Sequence, residues 1–394
     1  MINRRKFIKG TMVGSAGMAF GGITSINLSC GRKKTSKHVL DQYDQVASEF
    51  NNTKKIDTHM HITSDATYLR EVMDELNLKM FIMCNIGLQP DRLKLQIDTA
   101  IELCQKYPKY YSWQTTFGFE RMYETDWPDR VKEFLKHGFN NGAIAVKAWK
   151  EIGMQVKNLK GEFVQIDDPI FDPIFEYISK EGKPLFTHIG DPISNWLSFS
   201  SDWKQNRWYT EGAGITKNRI GEFTGQVSYD KLMLARDRML ERHPNLKVIG
   251  CHMGSMAFDL NLVANRLDKF PNFAVETSAA KSSLMDQARE KVRAFFIKYQ
   301  DRIVYGLDSS GGMVPSRFLV DMTKVGQQWT NDEVELEKKK LLKEYIDDFV
   351  YYSTDDEINR GAYSIQGLAL PNEVLHKIFY SNAVNWIPGI NKAF

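Results

Sequence analysis

Eight short apolar runs, rich in Ile, Val and Phe, recur between Lys54 and Leu307, and longer segments with helical spacing separate them. This alternation constrains the fold more than any other feature of the chain. The runs are Ile56–His61, Lys79–Ile86, Tyr110–Phe117, Gly142–Trp149, Pro184–Ile189, Leu246–His252, Phe273–Glu276 and Arg302–Leu307. Short apolar runs bounded by polar residues read as buried strands. The spacing between them predicts helices over Ala66–Leu76, Arg92–Tyr107, Asp129–His137, Pro173–Glu181, Tyr229–His243, Leu260–Phe270 and Leu284–Tyr299, with an eighth after Pro315. Crossovers of this length join parallel strands, and eight alternating pairs predict an α/β fold, a (β/α)8 TIM barrel. An open doubly wound sheet is the alternative.

Two connections exceed the usual length and distort the barrel, one after strand 5 and one after strand 8. The first runs from Gly190 to about Gln226 and carries Trp196, Trp203, Arg207, Trp208 and Tyr209. The second is an insertion from about Ser316 to Pro371, charged and mostly helical in pattern. Both leave the carboxyl ends of strands, the face on which barrels build their sites. Two short helices, Asn372–Phe379 and Ser381–Ile387, close the chain.

The amino terminus reads as a targeting segment. Arg4-Arg5 precedes Phe7 and Lys9, and a weakly apolar, Gly/Ala-rich stretch follows from Thr11 to Ile26. The pattern resembles a twin-arginine export signal, with a Sec signal as the alternative. Leu28-Ser29-Cys30-Gly31 reads as a lipoprotein cleavage site that lipidates Cys30; cleavage without lipid is the other reading, since Asn27 departs from the usual pattern. Residues 1–30 are thus expected to be an export signal, residues 31–53 a tether with one helix, and residues 54–394 the barrel. The expected location is exported, in the periplasm or anchored to the membrane as a lipoprotein. The formal charge of +3 falls to about −1 once Arg4, Arg5, Lys6 and Lys9 are removed. With both signs interspersed there is no footprint for a nucleic acid. Cys84, Cys104 and Cys251 are scattered through apolar contexts and read as free buried thiols rather than a disulfide framework.

The candidate site begins at Asp57-Thr58-His59-Met60-His61. On a regular strand Asp57, His59 and His61 share one face, and Ile56, Thr58 and Met60 the other. Two imidazoles at this spacing can reach one divalent metal. His188, His252 and Asp308 stand at the carboxyl ends of three further strand runs, where a barrel converges its side chains on one mouth. His59, His61, His188 and Asp308 make a shell of three imidazoles and one carboxylate, suited to zinc or another first-row divalent ion with a position left open. His252 is then a neighbour that accepts a proton. The remaining histidines, His38, His137, His243 and His376, do not follow strand runs. By alternation, a His252 facing the interior puts Cys251 in the helix layer as a packing residue.

These residues, with Gly182-Lys183-Pro184 through Phe186-Thr187-His188-Ile189-Gly190-Asp191-Pro192, His243-Pro244-Asn245 into Cys251-His252-Met253-Gly254, Tyr305-Gly306-Leu307-Asp308-Ser309 and Tyr380-Ser381-Asn382-Ala383, resemble the amidohydrolase superfamily. The likeness is to the branch of single-domain metal-dependent hydrolases and decarboxylases that includes aminocarboxymuconate-semialdehyde decarboxylase. It implies a metal on His59, His61, His188 and Asp308, with His252 as general base or electrostatic partner and Asp308 as a proton shuttle as well. It implies one zinc, or manganese. Other branches hold two metals bridged by a carboxylated lysine on the fourth strand; Lys147 stands near that place and is taken here as a substrate contact.

The function expected is an exported metal-dependent hydrolase acting on a lactone, ester or amide. Its alternatives are a nonoxidative decarboxylase and a noncatalytic lipid-anchored binding protein. Trp196, Trp208 and Arg207, with Lys147, are the expected substrate contacts, facing a small sugar- or aromatic-derived molecule. Contact with the membrane is expected through the lipid anchor only, and a second copy of the chain in a homodimer is an open partner.

Overall fold

The computed structural model describes residues 53–193, 196, 227–312, 329–360 and 363–394. The expected export signal, the expected tether up to residue 52 and most of the connection after strand 5, including Arg207 and Trp208, lie outside the described residues.

The eight expected strands form one parallel sheet. They are β1 (Lys55–Ile62), β2 (Leu78–Met83), β3 (Tyr111–Thr115), β4 (Ala143–Ala148), β5 (Leu185–Thr187), β6 (Val248–Gly250), β7 (Phe273–Glu276) and β8 (Ile303–Val304). Helices α1 (Thr67–Leu76), α2 (Pro90–Lys106), α3 (Trp127–Asn140), α4 (Asp172–Lys180), α5 (Tyr229–Arg242), α6 (Leu260–Lys269) and α7 (Arg289–Lys298) alternate with them. α1 shows why each helix docks: Leu69, Val72, Met73 and Leu76 share one face, and all are buried. Burying each such side chain stabilises the fold by roughly 1.5–3 kcal/mol.

The structure corrects the eighth strand. In place of one run over Arg302–Leu307, β8 pairs with β7, and a separate β9 (Ser309–Gly311) pairs with β1. Asp308 between them has φ of 63°, in the left-handed region, which a continuous strand cannot contain. Across the break, Thr58 N donates to Tyr305 O and Asp308 N donates to His59 O. The sheet therefore closes on itself as an α/β barrel. The expected Leu284–Tyr299 helix is also divided. Ala288 is extended (ψ 128°), and the Gln287 side chain donates to Ala257 O and accepts from Leu260 N at the start of α6.

Two apolar layers follow from the pleat. Ile56, Phe81, Ala145, Phe186, Ile249, Ala274 and Val304, each from a different strand, pack inside the barrel with Ala383, Ile387 and Ile390 from the chain's last segment. Met60, Ile82, Val146, Leu185, Val248 and Val275 pack outward against the helices. The last segment stoppers the amino-terminal ends of the strands: Lys79 Nζ donates to Lys392 O, Ser112 Oγ to Ile390 O and Asn382 Nδ2 to Ile303 O.

The charged insertion contains α8 (Asn331–Ser353), started by a capping box of Thr330 and Glu333. It lies over the closing seam of the barrel. Tyr345 Oη donates to Asp57 Oδ2 at 2.6 Å, and Ser309 Oγ donates to Glu344 at 2.7 Å.

Candidate metal centre

His59 and His61 come from β1, and Asp308 from the left-handed turn between β8 and β9. The Nε2 atoms of His59 and His61 lie 3.5 and 3.3 Å from Asp308 Oδ1. Burial alone would raise the Asp308 carboxyl. Positive charge on His59, His252 and His61 when these rings are protonated, with a hydrogen bond from His61, outweighs burial and holds it well below the ordinary carboxylate range.

The neighbouring contacts fix the tautomers. His59 Nδ1 is 2.8 Å from Glu276 Oε1, an oxygen that already accepts the His252 backbone N–H at 3.1 Å. His59 Nδ1 therefore carries the proton, and Nε2 turns a lone pair toward Asp308 Oδ1. Two acceptors facing each other repel unless a cation sits between them. With His61 Nε2 they make a donor set of nitrogen and carboxylate oxygen, the chemistry a first-row divalent ion requires. Burial, then the Lys147 charge, pushes His59 well below its ordinary value, which keeps it neutral as a ligand must be.

His252 Nδ1 lies 2.9 Å from the Ser278 carbonyl oxygen. A carbonyl only accepts, so Nδ1 holds the proton and Nε2 is an acceptor. His188 Nδ1 is 3.2 Å from that Nε2 and donates to it, leaving His188 Nε2 as a lone pair. The structure thus brings His59, His61 and Asp308 directly together. His188 joins them through His252, and its Nε2 is 4.0 Å from Asp191 Oδ1, which Lys150 holds at 2.5 Å. Burial, then His252 and Lys150, keeps His188 well below its ordinary value.

A family model for amidohydrolases, Amidohydro_2, matches residues 56–388. The chain belongs to the amidohydrolase family. Such a protein is a metal-dependent enzyme of the amidohydrolase superfamily, and the donors assembled at the mouth of this barrel fit that dependence. No curated protein matches this amidohydrolase in sequence. Among solved structures it is similar to an uncharacterised TIM-barrel protein from Bordetella bronchiseptica, at 13% identity and a TM-score of 0.47 over 86% of this chain and 100% of that one. It is similar to a 2,6-dihydroxybenzoate decarboxylase in complex with 2,6-dihydroxybenzoate, at 14% identity and a TM-score of 0.49 over 85% and 99%. A third is a 5-carboxyvanillate decarboxylase from Novosphingobium aromaticivorans with bound manganese, at 14% identity and a TM-score of 0.43 over 86% and 97%.

Two face assignments read from alternation are corrected by this amidohydrolase's backbone. Between β1 and β2 the register passes from Asp57↔Met80 to Met60↔Ile82, so β1 carries one extra residue, a bulge. Ile56, His59 and His61 therefore face inward, while Asp57 meets Tyr345 of α8, outside the barrel. Cys251 packs inside the barrel and not in the helix layer, 3.0 Å from Lys147 Nζ. The reason lies one residue on: His252 and Met253 have φ of 57° and 56°, and this left-handed turn swings His252 back to the mouth.

Of the expected substrate contacts, Lys147 is fully buried, with its Nζ 3.0 Å from Cys251 Sγ and 3.7 Å from Met83 Sδ. Trp196 donates to Val227 O at 2.7 Å and sets its ring edge-on to Tyr229. The sequence reading missed Glu276 and Ser278 at the end of β7. The acid-x-Ser spacing that closes an apolar run was the available signal. It also missed Glu151, a buried carboxylate that accepts from Gly87 N and Leu88 N at 2.9 Å each and ties two loops at the mouth.

Proposed function

We propose that this amidohydrolase hydrolyses a lactone, ester or amide bond of a small substrate, with one zinc or manganese ion on His59, His61, Asp308 and His188. The observation that carries the reading is the convergence of ligand atoms of His59, His61 and Asp308 within 4.8 Å of one another, with His59 Nε2 turned forward as an acceptor. A divalent ion there lowers the pKa of water toward about 7 and polarises a carbonyl oxygen. The chain's own part is orientation and proton handling. Glu276 holds His59 with Nε2 forward. Ser278 holds His252 with Nε2 as its basic nitrogen, which accepts from His188 Nδ1 and, once that contact yields, takes a proton from the attacking water and returns it to the leaving group. Asp308, kept ionised, holds the second proton-accepting position beside it.

A second reading, nonoxidative decarboxylation, is supported by Lys150. Its ammonium stands beside His188 and Asp191, where a substrate carboxylate could be met, and His252 or Asp308 would then deliver a proton to carbon. Trp196, Trp208 and Arg207 remain part of the proposal as contacts for a sugar- or aromatic-derived substrate, the last two from outside the described residues. Export through residues 1–30, a lipid on Cys30 and a homodimer belong to the proposal too.

Elemental analysis of protein lacking residues 1–30 tests the centre. About one zinc or manganese per chain, lost in His61→Ala, supports it; an equal content in both proteins overturns it. A screen of lactones, esters, amides and carboxylic acids, with carbon dioxide measured beside acid release, separates the two reactions.

A further inference from the structure

We propose that Glu276 is the positioning residue of this centre, a single carboxylate oxygen that sets both the metal-facing nitrogen of His59 and the backbone of His252. The inference rests on the metal centre proposed above.

Three donors from three parts of the barrel meet on Glu276 Oε1. His59 Nδ1, from β1, lies at 2.8 Å. The His252 backbone N–H, from the turn after β6, lies at 3.1 Å. Ser278 Oγ, just past β7, makes a short contact. Ser278 Oγ also lies 3.0 Å from His59 Nδ1 and 2.9 Å from His252 Nδ1, so the serine links the two imidazoles to the same carboxylate. Partners of this kind set the tautomer and basicity of a metal-binding imidazole. The His252 contact answers a different need. A left-handed backbone is disfavoured for a residue with a side chain and persists only where its surroundings fix it. The N–H held by Glu276 is such a fixture of the backbone, beside the Ser278 oxygens that hold the ring itself.

Two further observations argue against a merely structural carboxylate. Glu276 is fully buried, and among the described residues its Oε2 has no hydrogen-bond partner. A buried acceptor left unmatched is costly and calls for a role. The barrel also makes room for it: a Cβ on Gly306, two residues before Asp308, would collide with Oε2 and stand 3.0 Å from His59 Cβ. The glycine thus lets the chain after β8 pass close to both Glu276 and His59, with Glu276 at His59 Nδ1 and Asp308 at Nε2.

The test is zinc affinity, by competition with a chromogenic chelator, on the full mature chain and its variants. Glu276→Leu keeps the bulk and removes the acceptor; it should bind zinc roughly 10- to 100-fold more weakly. Glu276→Gln restores an acceptor oxygen at the same place and should recover most of that loss. Zinc binding by Glu276→Leu equal to the parent overturns the inference, even while loss of zinc in His61→Ala sustains the centre. Zinc binding unchanged in His61→Ala overturns the centre and the inference with it. If Glu276→Leu does not fold, the parent answers alone. Nitrogen NMR of the metal-free protein, with the His59 signals assigned by their loss in His59→Gln, should find the proton on Nδ1. A proton on Nε2 overturns the inference.

Discussion

Ser278 grips His252 at one atom with two oxygens: its carbonyl and its hydroxyl each lie 2.9 Å from His252 Nδ1. The carbonyl decides the matter, because it leaves Nε2 as the nitrogen that can take a proton. His252→Asn tests this without disturbing the grip. The asparagine amide can donate where Nδ1–H did, suits the left-handed backbone, and has no counterpart of Nε2. Turnover should fall by about 10²- to 10⁴-fold with metal content unchanged. Turnover kinetics beside elemental analysis would show it. Loss of metal in this variant would instead make His252 a ligand.

Asp308 is expected to hold metal rather than to brace the barrel. Asp308→Asn keeps the size and tolerates the left-handed turn but removes the charge. Metal affinity should fall by more than the roughly 10- to 100-fold typical of residues that only touch ligands. The melting temperature of the metal-free protein should stay near that of the metal-free parent. Calorimetric titration with zinc or manganese measures the first and thermal unfolding the second.

Tyr345→Phe should loosen the seam. It leaves Asp57 Oδ2 without the hydroxyl now held at 2.6 Å. Burial already pushes Asp57 up to about 8, and the Tyr345 contact works against that rise. The expected loss is about 1–3 kcal/mol, read from the urea midpoint at constant slope.

Glu151 should make stability depend on pH. Burial raises its carboxyl to about 7, against the bonds from Leu88 and Gly87, while the unfolded value is 4.5. Below 4.5 the folded and unfolded chains both hold the proton, and its contribution is fully present. As pH rises toward 7 the unfolded chain releases its proton first, so stability falls, by about 1.4 kcal/mol per unit and about 3 kcal/mol in all. Urea titrations at pH 5 and pH 8 should show this loss in the parent and a smaller one in Glu151→Gln. Equal losses in both would acquit Glu151.

The barrel was legible because parity and helical spacing act locally. Each apolar run between Ile56 and Leu307 marked a real strand, and the interruptions marked real crossovers. What escaped was whatever broke parity. The bulge at Asp57–Met60 exchanges faces within one strand, and the left-handed residues His252 and Asp308 redirect side chains by a single dihedral angle. A strand that divides at Asp308 looks continuous in composition, since Gly306 and Leu307 give no sign of it. The histidines and Asp308 could be named because their chemistry is rare at strand ends. Glu276 could not be ranked, since its importance lies in three donors separated by more than two hundred residues of chain, from His59 to Ser278. Gln287, which reads as one more helical residue, was similarly claimed by a distant backbone.

The stopper under the barrel has a consequence for how the protein is made. Ile387 and Ile390 pack against the interior residues of the strands, and Lys54 Nζ reaches the carbonyl of Phe394. The barrel's innermost layer therefore stays open until residues 387–394 have been made, after every strand. Until then a growing chain carries its interior uncovered. Removing residues 387–394 acts on that interval before it acts on the finished enzyme.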